Sequence, residues 1–410
     1  MTMIVDRSLG RELKEALRHH GCVVLVGPYE VGKSQLARHL ASEFGANSIY
    51  LRAGSSRDRQ RIEGDNGLVR NSAGKLIVID EMQDFDSGFD LVRTEIENAH
   101  IQQRDVGQFL LLGSGSLETG KLAAIKLGTK ALTFHLSPID VTELPGHGPP
   151  IVGDTRIEDV PNTVPIAPAN DRVSLDTLWM RGGFPGSLLA SNEKDSFEWR
   201  RRYLSAITAR GYERLHTALS PSSVYNFFER VAVAQGQTFN VNNKLLPEQR
   251  PCLDHFEDLG LVRRLKPWFS NQTKRLEKDP KIYMRDSGLL HCLLNFATYD
   301  ELRANSAFGH SWEGFCIENL IAASKGYARP FFYRADDDAE IDLVLEFSKS
   351  RICAIEIKGK TSKVTSGFAR GSRVVGACCH IVVRPIPEST DRSTTLRDAM
   401  RTVQSMAQQL

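Results

Sequence analysis

Residues 23–34 read Val-Val-Leu-Val-Gly-Pro-Tyr-Glu-Val-Gly-Lys-Ser, and this stretch decides how the chain folds. A short apolar run is followed by a loop that opens and closes with glycine, and then by Lys-Ser at the head of a predicted helix that extends to Glu43. This is the strand–loop–helix order that a phosphate-binding loop requires. We therefore expect residues 27–34 to wrap the phosphates of a nucleotide.

The residue types in this loop fit phosphate chemistry. Gly27 and Gly32 can adopt backbone angles that are closed to other residues, so consecutive N–H groups can turn toward phosphate oxygens. The helix that follows adds its positive N-terminal end at the same place. Lys33 is expected to reach the β- and γ-phosphates, and the Ser34 hydroxyl is expected to ligate Mg²⁺. ATP and Mg²⁺ are therefore the predicted ligands.

A second stretch, residues 75–83, is typical of a buried parallel strand that ends in two acids. Asp80 would lie near Mg²⁺, and Glu81 would orient the attacking water, which makes Glu81 and Lys33 the predicted catalytic residues. A third apolar run leads to Ser114, which could place a polar group beside the γ-phosphate, although Gly-Ser is also common loop chemistry. The predicted nucleotide-binding residues are Gly27, Pro28, Tyr29, Glu30, Val31, Gly32, Lys33, Ser34, Gln35, Asp80 and Ser114.

Composition sets the limits for the rest of the chain. With 410 residues we expect two or three domains, and 41% hydrophobic and 25% charged residues are ordinary for a globular protein. The net charge of +2 gives no global attraction to nucleic acid or membrane. Seven cysteines without CxxC spacing favour reduced thiols in a cytoplasm. No stretch has the length of a signal peptide core or a membrane span, so the predicted location is cytoplasmic.

The C-terminal part carries a second group of charged residues. A predicted helix over 312–323 places Glu313 on its inward face, and two predicted strands over 340–347 and 351–358 form a hairpin. Because side chains alternate along a strand, Asp342 can converge with Glu356 and Lys358. Several carboxylates at one point repel unless a cation neutralises them. Alternating charges on an exposed sheet face are also common, so a structural role stays open.

This constellation is similar to the PD-(D/E)XK nuclease core. The resemblance implies that Glu313, Asp342 and Glu356 hold a divalent metal ion and that Lys358 assists a bound water.

The order of motifs along the whole chain resembles one family. GPYEVGKS (27–34), LIVIDEMQ (76–83), LLLGSGS (110–116), LSPIDVTEL (136–144) and RGGFP (181–185) occur as in prokaryotic AAA-type ATPases whose C-terminal half is a domain of unknown function. That C-terminal domain is thought to share the nuclease-like core. The resemblance implies ATP hydrolysis, assembly into a homo-oligomer, and a winged-helix-like region within residues 224–266.

The chain departs from this family at one place. Relatives carry a Gly-Arg pair before the LSPIDVTEL stretch, whereas Gly128 is followed here by Thr and Lys, and no arginine occurs between Arg104 and Arg156. Arg181 and Arg210 are the candidates that would neutralise the transition state, although either side chain could equally be a solvated helix or turn residue.

These observations predict an α/β architecture in four parts. A P-loop NTPase sheet with helices on both faces occupies residues 1–144, and a Pro/Gly-rich loop or insertion occupies 145–171. A helical and winged-helix-like region covers 172–290, in which the arginine run 200–202 is expected on a solvated face. The charged strand near 262–265 and the run 274–281 could contact DNA. The α/β nuclease-like domain covers 291–410.

Three functions compete on this evidence. The first is an AAA-type ATPase that hydrolyses ATP with Mg²⁺ to drive or gate an action on nucleic acid or a partner protein. The second is a metal-dependent DNA nuclease that the ATPase domain gates. The third is a nucleotide-switched regulator that binds DNA or protein and turns over slowly, which the missing arginine favours. The ATPase rate with and without DNA distinguishes them.

Overall fold

The computed structural model describes residues 7–64, 69, 73–103, 108–144, 173–215, 219–239, 245–270, 278–335, 339–359, 366–385 and 393–409. The predicted loop at 145–171 lies wholly outside these residues. The chain divides into two compact units. The first holds the described residues up to Ile139 together with Asp258–Gly260, and the second holds Asp140–Glu257 and the chain from Leu261 onward. The four-part division read from the sequence stays a prediction.

The first unit is built on a parallel five-stranded sheet in the order β2-β3-β4-β1-β5. Its strands are β1 (Cys22–Gly27), β2 (Ser48–Arg52), β3 (Leu76–Asp80), β4 (Gln108–Ser114) and β5 (Ala131–His135). Its helices are α1 (Leu9–His19), α2 (Lys33–Glu43), α3 (Ser56–Glu63), α4 (Asp86–Ile101) and α5 (Ser116–Leu127). The predicted P-loop NTPase sheet is confirmed.

Helices cover both faces of this sheet. In β1, Cys22, Val24 and Val26 belong to the core that β1 shares with α4 and α5, while Val23 and Leu25 point to the opposite face. All five side chains are fully buried, so neither face of the strand meets solvent. This explains why the central strands read as unbroken apolar runs.

Two elements of the first unit were not predicted. Strand β5 pairs with β1 at the sheet edge, and its side chains are largely exposed, so its sequence lacks the apolar run of a central strand. Helix α3 begins after the N-cap Ser55, whose hydroxyl accepts from the backbone N–H of Asp58, and Ile62 is its one buried residue. A helix with so little apolar surface has no periodic pattern to detect.

The second unit begins with helices and a short ribbon. The helices are α6 (Leu175–Arg181), α7 (Pro185–Leu188), α8 (Glu193–Leu215), α9 (Pro221–Val233), α10 (Gln249–Asp258), α11 (Ser287–Leu293), α12 (Tyr299–Arg303) and α13 (Ala307–Ala323). Strands β6 (Val262–Leu265) and β7 (Lys281–Met284) pair antiparallel after α10. A helix followed by a two-stranded ribbon is compatible with the winged-helix prediction, which stays a prediction.

A four-stranded sheet in the order β11-β10-β9-β8 completes the second unit. Its strands are β8 (Arg329–Arg334), β9 (Glu340–Ser348), β10 (Arg351–Ile357) and β11 (Cys379–Val383), and its helices are α14 (Ser366–Val375) and α15 (Leu396–Gln408). The predicted hairpin is present as β9 and β10, which pair antiparallel, whereas β11 adds parallel to β10.

Two expectations about basic residues fail at one residue each, although Arg201 and Arg202 are exposed as expected. Arg200 does not lie on a solvated face, because it is fully buried and donates to the carbonyl oxygens of Met180 at 3.2 Å and Gly288 at 3.0 Å. Lys281 is not available to DNA, because it is 5% exposed and pairs with Glu340 at 3.0 Å. Residues 274–277 of the predicted DNA-contacting run lie outside the described residues, whereas Lys278 is described and exposed.

Candidate functional site

The phosphate-binding loop joins the end of β1 to the start of α2, as predicted. Gly32 has a φ of 104°, in the region that favours glycine, and Glu30 also has a positive φ of 58°. Gly27 has no positive φ, and a glycine is needed there because of the space available and not because of the backbone angle. A Cβ at Gly27 would lie 2.4 Å from the carbonyl oxygen of Leu136. One glycine therefore allows the turn, and the other allows the close approach of a neighbouring chain segment.

Lys33 lies inside the loop. The residue is 5% exposed, and its ammonium group donates to the carbonyl oxygens of Gly27 at 2.9 Å and Pro28 at 2.7 Å. Burial lowers the pKa of Lys33 to about 8, against the opposing attraction of Asp80. A buried cation whose hydrogen-bond acceptors are loop carbonyls suits an anionic ligand, since phosphate oxygens offer it stronger partners.

Asp80 is held by three donors at the end of β3. The Ser34 hydroxyl donates to Asp80 Oδ2 at 2.7 Å, and the Tyr50 hydroxyl donates to the same oxygen at 2.5 Å. The backbone N–H of Glu81 donates to Oδ1 at 2.9 Å. Burial, followed by the bond to Asp80, raises the pKa of Tyr50, so the phenol stays protonated. Tyr50, on β2 beneath the guanidinium of Arg38, is a site residue that the sequence did not single out.

Glu81 and Ser114 occupy the same end of the sheet. Glu81 is exposed and has a positive φ of 66°. Its Oε2 lies so close to Gly54 that a Cβ there would be 2.4 Å away. The backbone N–H of Ser114 donates to Gln83 Oε1 at 2.9 Å, which ties the end of β4 to the segment after β3. Ser114 is thus engaged through its backbone, and the role predicted for its hydroxyl stays a prediction.

The remaining loop positions vary in exposure, and one distant arginine holds the loop. Pro28 and Val31 are buried, Tyr29 is partly exposed, and Glu30 and Gln35 are exposed. Arg7 donates to the carbonyl oxygens of Val31 at 3.1 Å and Ser137 at 2.5 Å. Arg7 precedes α1 and was not predicted, because nothing in the local sequence marks its partners.

The two candidate arginines of the second unit differ in their surroundings. Arg181 ends α6 and pairs with Glu193 at 2.8 Å, and it also donates to the carbonyl oxygen of Ala190 at 2.7 Å. Arg210 lies exposed on α8. The guanidinium of Arg181 is therefore already engaged by partners in the second unit.

The predicted C-terminal residues do come together. The register that pairs Ile355 with Leu343 brings Glu356 opposite Asp342. Asp342 Oδ2 accepts from the backbone N–H of Ile357 at 2.7 Å, and Lys358 Nζ lies 2.5 Å from Glu356 Oε1. Glu356 Oε2 is buried without a hydrogen-bond partner among the described residues. The convergence read from strand alternation is confirmed.

Four further residues enter this group from outside the hairpin. Glu313 on α13 accepts from the Tyr283 hydroxyl at 2.5 Å, and Lys281 Nζ lies 3.7 Å from its Oε1. His310 Nδ1 lies 3.5 Å from its Oε2. Lys281 and Tyr283 both belong to β7, more than 50 residues before the hairpin in the sequence. We call Lys281, Tyr283, His310, Glu313, Asp342, Glu356 and Lys358 the C-terminal cluster.

Electrostatics within the C-terminal cluster are strong. Burial, then the charges of Glu313 and Glu356, raises the pKa of Asp342 well above its usual range. Burial opposes ionisation of Glu313 as well, but His310, Lys281 and Tyr283 hold its pKa below the usual value. In the part of the chain that the structure describes, no group of three His, Cys, Asp or Glu side chains is arranged to hold a metal ion. Among these residues, Glu313, Asp342 and Glu356 are therefore not arranged as the predicted ligand set, and Lys281 and Lys358 lie beside the acids.

The chain was compared with protein families and with individual known proteins. Residues 19–145 match the family model described as AAA domain, and residues 172–300 and 308–394 match two domains of unknown function, DUF8612 and DUF4143. The uncharacterized proteins Rv2008c of Mycobacterium tuberculosis and Mb2031c of Mycobacterium bovis are each 31% identical over 379 residues, which cover 91% of this chain and 78% of each relative. The chain belongs to this family of AAA-type ATPases. The predicted membership of the AAA-type ATPases is confirmed. The predicted likeness of the C-terminal domain to nucleases is not confirmed, because that region matches only a domain of unknown function.

Solved structures resemble the AAA-type ATPase at low scores. The Walker-type ATPase PABY2304 of Pyrococcus abyssi shares 15% identity at a TM-score of 0.45, over 71% of this chain and 96% of that one. The ORC1 protein of Aeropyrum pernix, solved in complex with DNA, shares 17% identity at a TM-score of 0.28, over 73% and 94%. Such scores assign no function. Within the described residues, no helix of the AAA-type ATPase is long and apolar enough to cross a membrane.

Proposed function

We propose that this AAA-type ATPase hydrolyses ATP with Mg²⁺ in the cytoplasm and uses turnover to drive or gate an action on nucleic acid or a partner protein. The observation that carries the proposal is the 2.7 Å hydrogen bond between Ser34 and Asp80, which joins the phosphate-binding loop to the strand that ends in acids. Hydroxyl and carboxylate oxygens are ligands that Mg²⁺ accepts. Seven free thiols, most of them buried, support a reducing compartment.

The binding step follows from the loop. Lys33 leaves the carbonyl oxygens of Gly27 and Pro28 for the β- and γ-phosphates, and its charge gains a stronger partner in the exchange. Ser34 and Asp80 would hold Mg²⁺, which would supply positive charge to offset the charge that develops on the phosphates. Tyr50 and the Glu81 N–H keep the Asp80 carboxylate oriented, and orientation of a metal ligand is what such outer partners supply.

The hydrolytic step is assigned to Glu81. It is the acid next to Asp80, it is exposed, and it can therefore meet a water that approaches the γ-phosphate. As a carboxylate it accepts a hydrogen bond from that water and aligns it for attack.

Two variants test the assignment. Lys33→Ala should abolish ATP binding, since it removes the side-chain charge that the loop offers to the phosphates. Glu81→Gln should keep binding and lose turnover, because the amide retains the shape of the acid without its basicity. Lys14→Ala, on the exposed side of α1, is the matched control and should change neither. ATP affinity by fluorescent nucleotide titration and phosphate release are the two measurements. Normal affinity in Lys33→Ala would remove the premise of the proposal.

Assembly and target belong to the same proposal. No arginine occurs between Arg104 and Arg156, where the resemblance leads one to expect a Gly-Arg pair, so a second copy of the chain is proposed to supply the arginine that completes the site. The ribbon β6–β7 after α10 supports a winged-helix-like contact with DNA. Stimulation of ATP hydrolysis by DNA tests this contact. A slow rate that DNA leaves unchanged, with DNA binding that depends on nucleotide, would instead favour the regulator.

A metal-dependent nuclease gated by the ATPase is the second candidate. It is favoured by the buried, unpartnered Glu356 Oε2 next to Asp342, since a carboxylate oxygen without a donor is an open ligand position. Lys281 counts against it, because its ammonium group lies 3.7 Å from Glu313 and occupies part of the space beside the acids. Asp342→Asn should abolish Mn²⁺-dependent DNA cleavage and leave ATPase activity intact. Glu346→Gln on the same strand, where Arg329 pairs with the acid, is the control. Cleavage that survives in Asp342→Asn would reject a nuclease at this site.

A further inference from the structure

Two cysteines face each other across the edge of the C-terminal sheet. Strands β10 and β11 pair in parallel, with Cys353 directly opposite Cys379. Residues in register on neighbouring strands point to the same face and lie about 4.8 Å apart along the hydrogen-bonding direction. That spacing falls within the Cα separation of roughly 4.4–6.8 Å that a disulfide spans. Both thiols are free, and no other sulfur lies opposite either of them in this register.

The two thiols differ in access and in chemistry. Cys353 is fully buried, whereas Cys379 is partly exposed. The Cys353 thiol donates to Cys379, which holds the pKa of Cys379 below its usual range and raises the pKa of Cys353. The thiolate is the nucleophile in thiol–disulfide exchange. The accessible sulfur is therefore also the more readily ionised one.

A third cysteine provides an internal comparison. Cys378 is exposed and immediately precedes Cys379. Its sulfur donates to the carbonyl oxygen of Ile352 at 3.4 Å. Adjacent residues on a strand point to opposite faces, so Cys378 is not directed at Cys353. Exposure alone would favour modification of Cys378, whereas the register favours Cys379.

We propose that Cys379 is a thiol-modification site for low-molecular-weight disulfides and that Cys353 resolves the adduct to a Cys353–Cys379 disulfide across the strands. The Cys379 thiolate attacks one sulfur of the small disulfide, forms a mixed disulfide and releases one small thiolate. The Cys353 thiol then loses its proton to solvent and attacks the Cys379 sulfur, which releases the second small thiolate. Both protein thiols are oxidised, and the small disulfide is reduced by two electrons.

The crosslink would fix the edge of the sheet. Strand β11 is the edge strand in the order β11-β10-β9-β8. A disulfide to β10 would close a covalent loop between residues 353 and 379. Closing a loop reduces the freedom of the unfolded chain and raises the melting temperature. Cys353 and Glu356 point to opposite faces of β10, so the disulfide forms away from the C-terminal cluster.

The test uses the full chain in its native state and glutathione disulfide as the probe. After timed exposure, free thiols are alkylated, and peptide mapping identifies each linkage. The wild type should lose two thiols and retain no glutathione, and the crosslinked peptide should join Cys353 to Cys379. Its melting temperature should rise, and dithiothreitol should reverse the change. Cys378→Ser should behave as the wild type.

The variants separate the two steps. Cys353→Ala should accumulate one glutathione on Cys379, because the resolving thiol is gone. Cys379→Ser should give no crosslink at the same exposure. The proposal is overturned if native wild type forms no Cys353–Cys379 linkage, if Cys353 pairs with Cys378 instead, or if the linkage appears only after denaturation. Mapping of the wild type decides between these outcomes even if a substitution at buried Cys353 prevents folding.

Discussion

The contact between Gly54 and Glu81 offers a way to move the proposed catalytic acid without changing its chemistry. A Cβ at Gly54 would lie 2.4 Å from Glu81 Oε2 and 3.5 Å from the carbon that bears it. Gly54 has no positive φ, so alanine is compatible with the backbone there. The atom that must yield is the tip of a flexible side chain. Gly54→Ala should therefore fold normally and displace the Glu81 carboxylate.

The size of the effect follows from the geometry. Ordinary contact with a Cβ begins at 3.4 Å, so the carboxylate oxygen must retreat by about 1 Å. A misplacement of about 1 Å in a catalytic group costs on the order of 10²-fold in rate. That factor corresponds to about 2.7 kcal/mol of transition-state stabilisation. The loss should fall on kcat, with the affinity for ATP unchanged, because Gly54→Ala leaves the residues of the phosphate-binding loop themselves unaltered.

A double-mutant cycle isolates the cause. Steady-state phosphate release is measured for the wild type, Gly54→Ala, Glu81→Gln and the double variant. If the methyl group acts through the carboxylate, Gly54→Ala should lower kcat less than about twofold in the Glu81→Gln background. Gly10→Ala is the control, since its Cβ would make only an ordinary contact of 3.5 Å with Leu36.

Two results would refute this reasoning. A Gly54→Ala variant with normal kcat would mean that the observed position of Glu81 is not used in turnover. An equal loss in the wild-type and Glu81→Gln backgrounds would mean that the methyl group acts on something other than the acid.

Three further predictions concern other parts of the molecule. Tyr50→Phe removes a donor to Asp80 and should raise the Mg²⁺ concentration for half-maximal ATPase activity about tenfold or more, and an unchanged Mg²⁺ titration would contradict it. ATP should promote self-association, and a strict monomer with brisk phosphate release, seen by light scattering, would argue against this. Burial lowers the pKa of His291 from 6.5 to about 3, so the native state stays neutral while the unfolded chain binds a proton as the pH falls below 6.5. The free energy of unfolding should thus fall by roughly 2 kcal/mol between about pH 7.5 and pH 5, measured by urea denaturation, and His291→Gln should lack this component.

The ATPase unit shows which parts of a fold a sequence reveals. Strands β1 and β3 were predictable because both of their faces are buried and their sequences are continuously apolar. Strand β5 was not, because edge position exposes Leu132 and Thr133 and breaks the pattern. The partners of Asp80 were only half predictable. Ser34 is part of the loop motif and could be predicted from it. Tyr50 reaches Asp80 only because β2 pairs with β3, and the sequences of the two strands do not reveal that they are neighbours.

The C-terminal cluster shows how a distant residue changes the chemistry inferred from a local pattern. Glu356 and Lys358 were predictable as a pair because alternation places both on one face of β10. The register shift between Arg351 and Ile352 then brings Glu356 opposite Asp342, and the sequence does not mark this shift. The position of Lys281 was not predictable, because it lies on β7, which is distant from the hairpin in the sequence. If Lys281 is left out, the repulsion between the acids suggests that an external cation is needed to hold them together. With Lys281 present, part of their charge is already neutralised inside the protein, since Glu313, Asp342 and Glu340 raise the pKa of Lys281 and hold it charged. A divalent ion that bound this cluster would first have to displace that lysine, so the nuclease hypothesis turns on a competition between two cations and not on the acids alone.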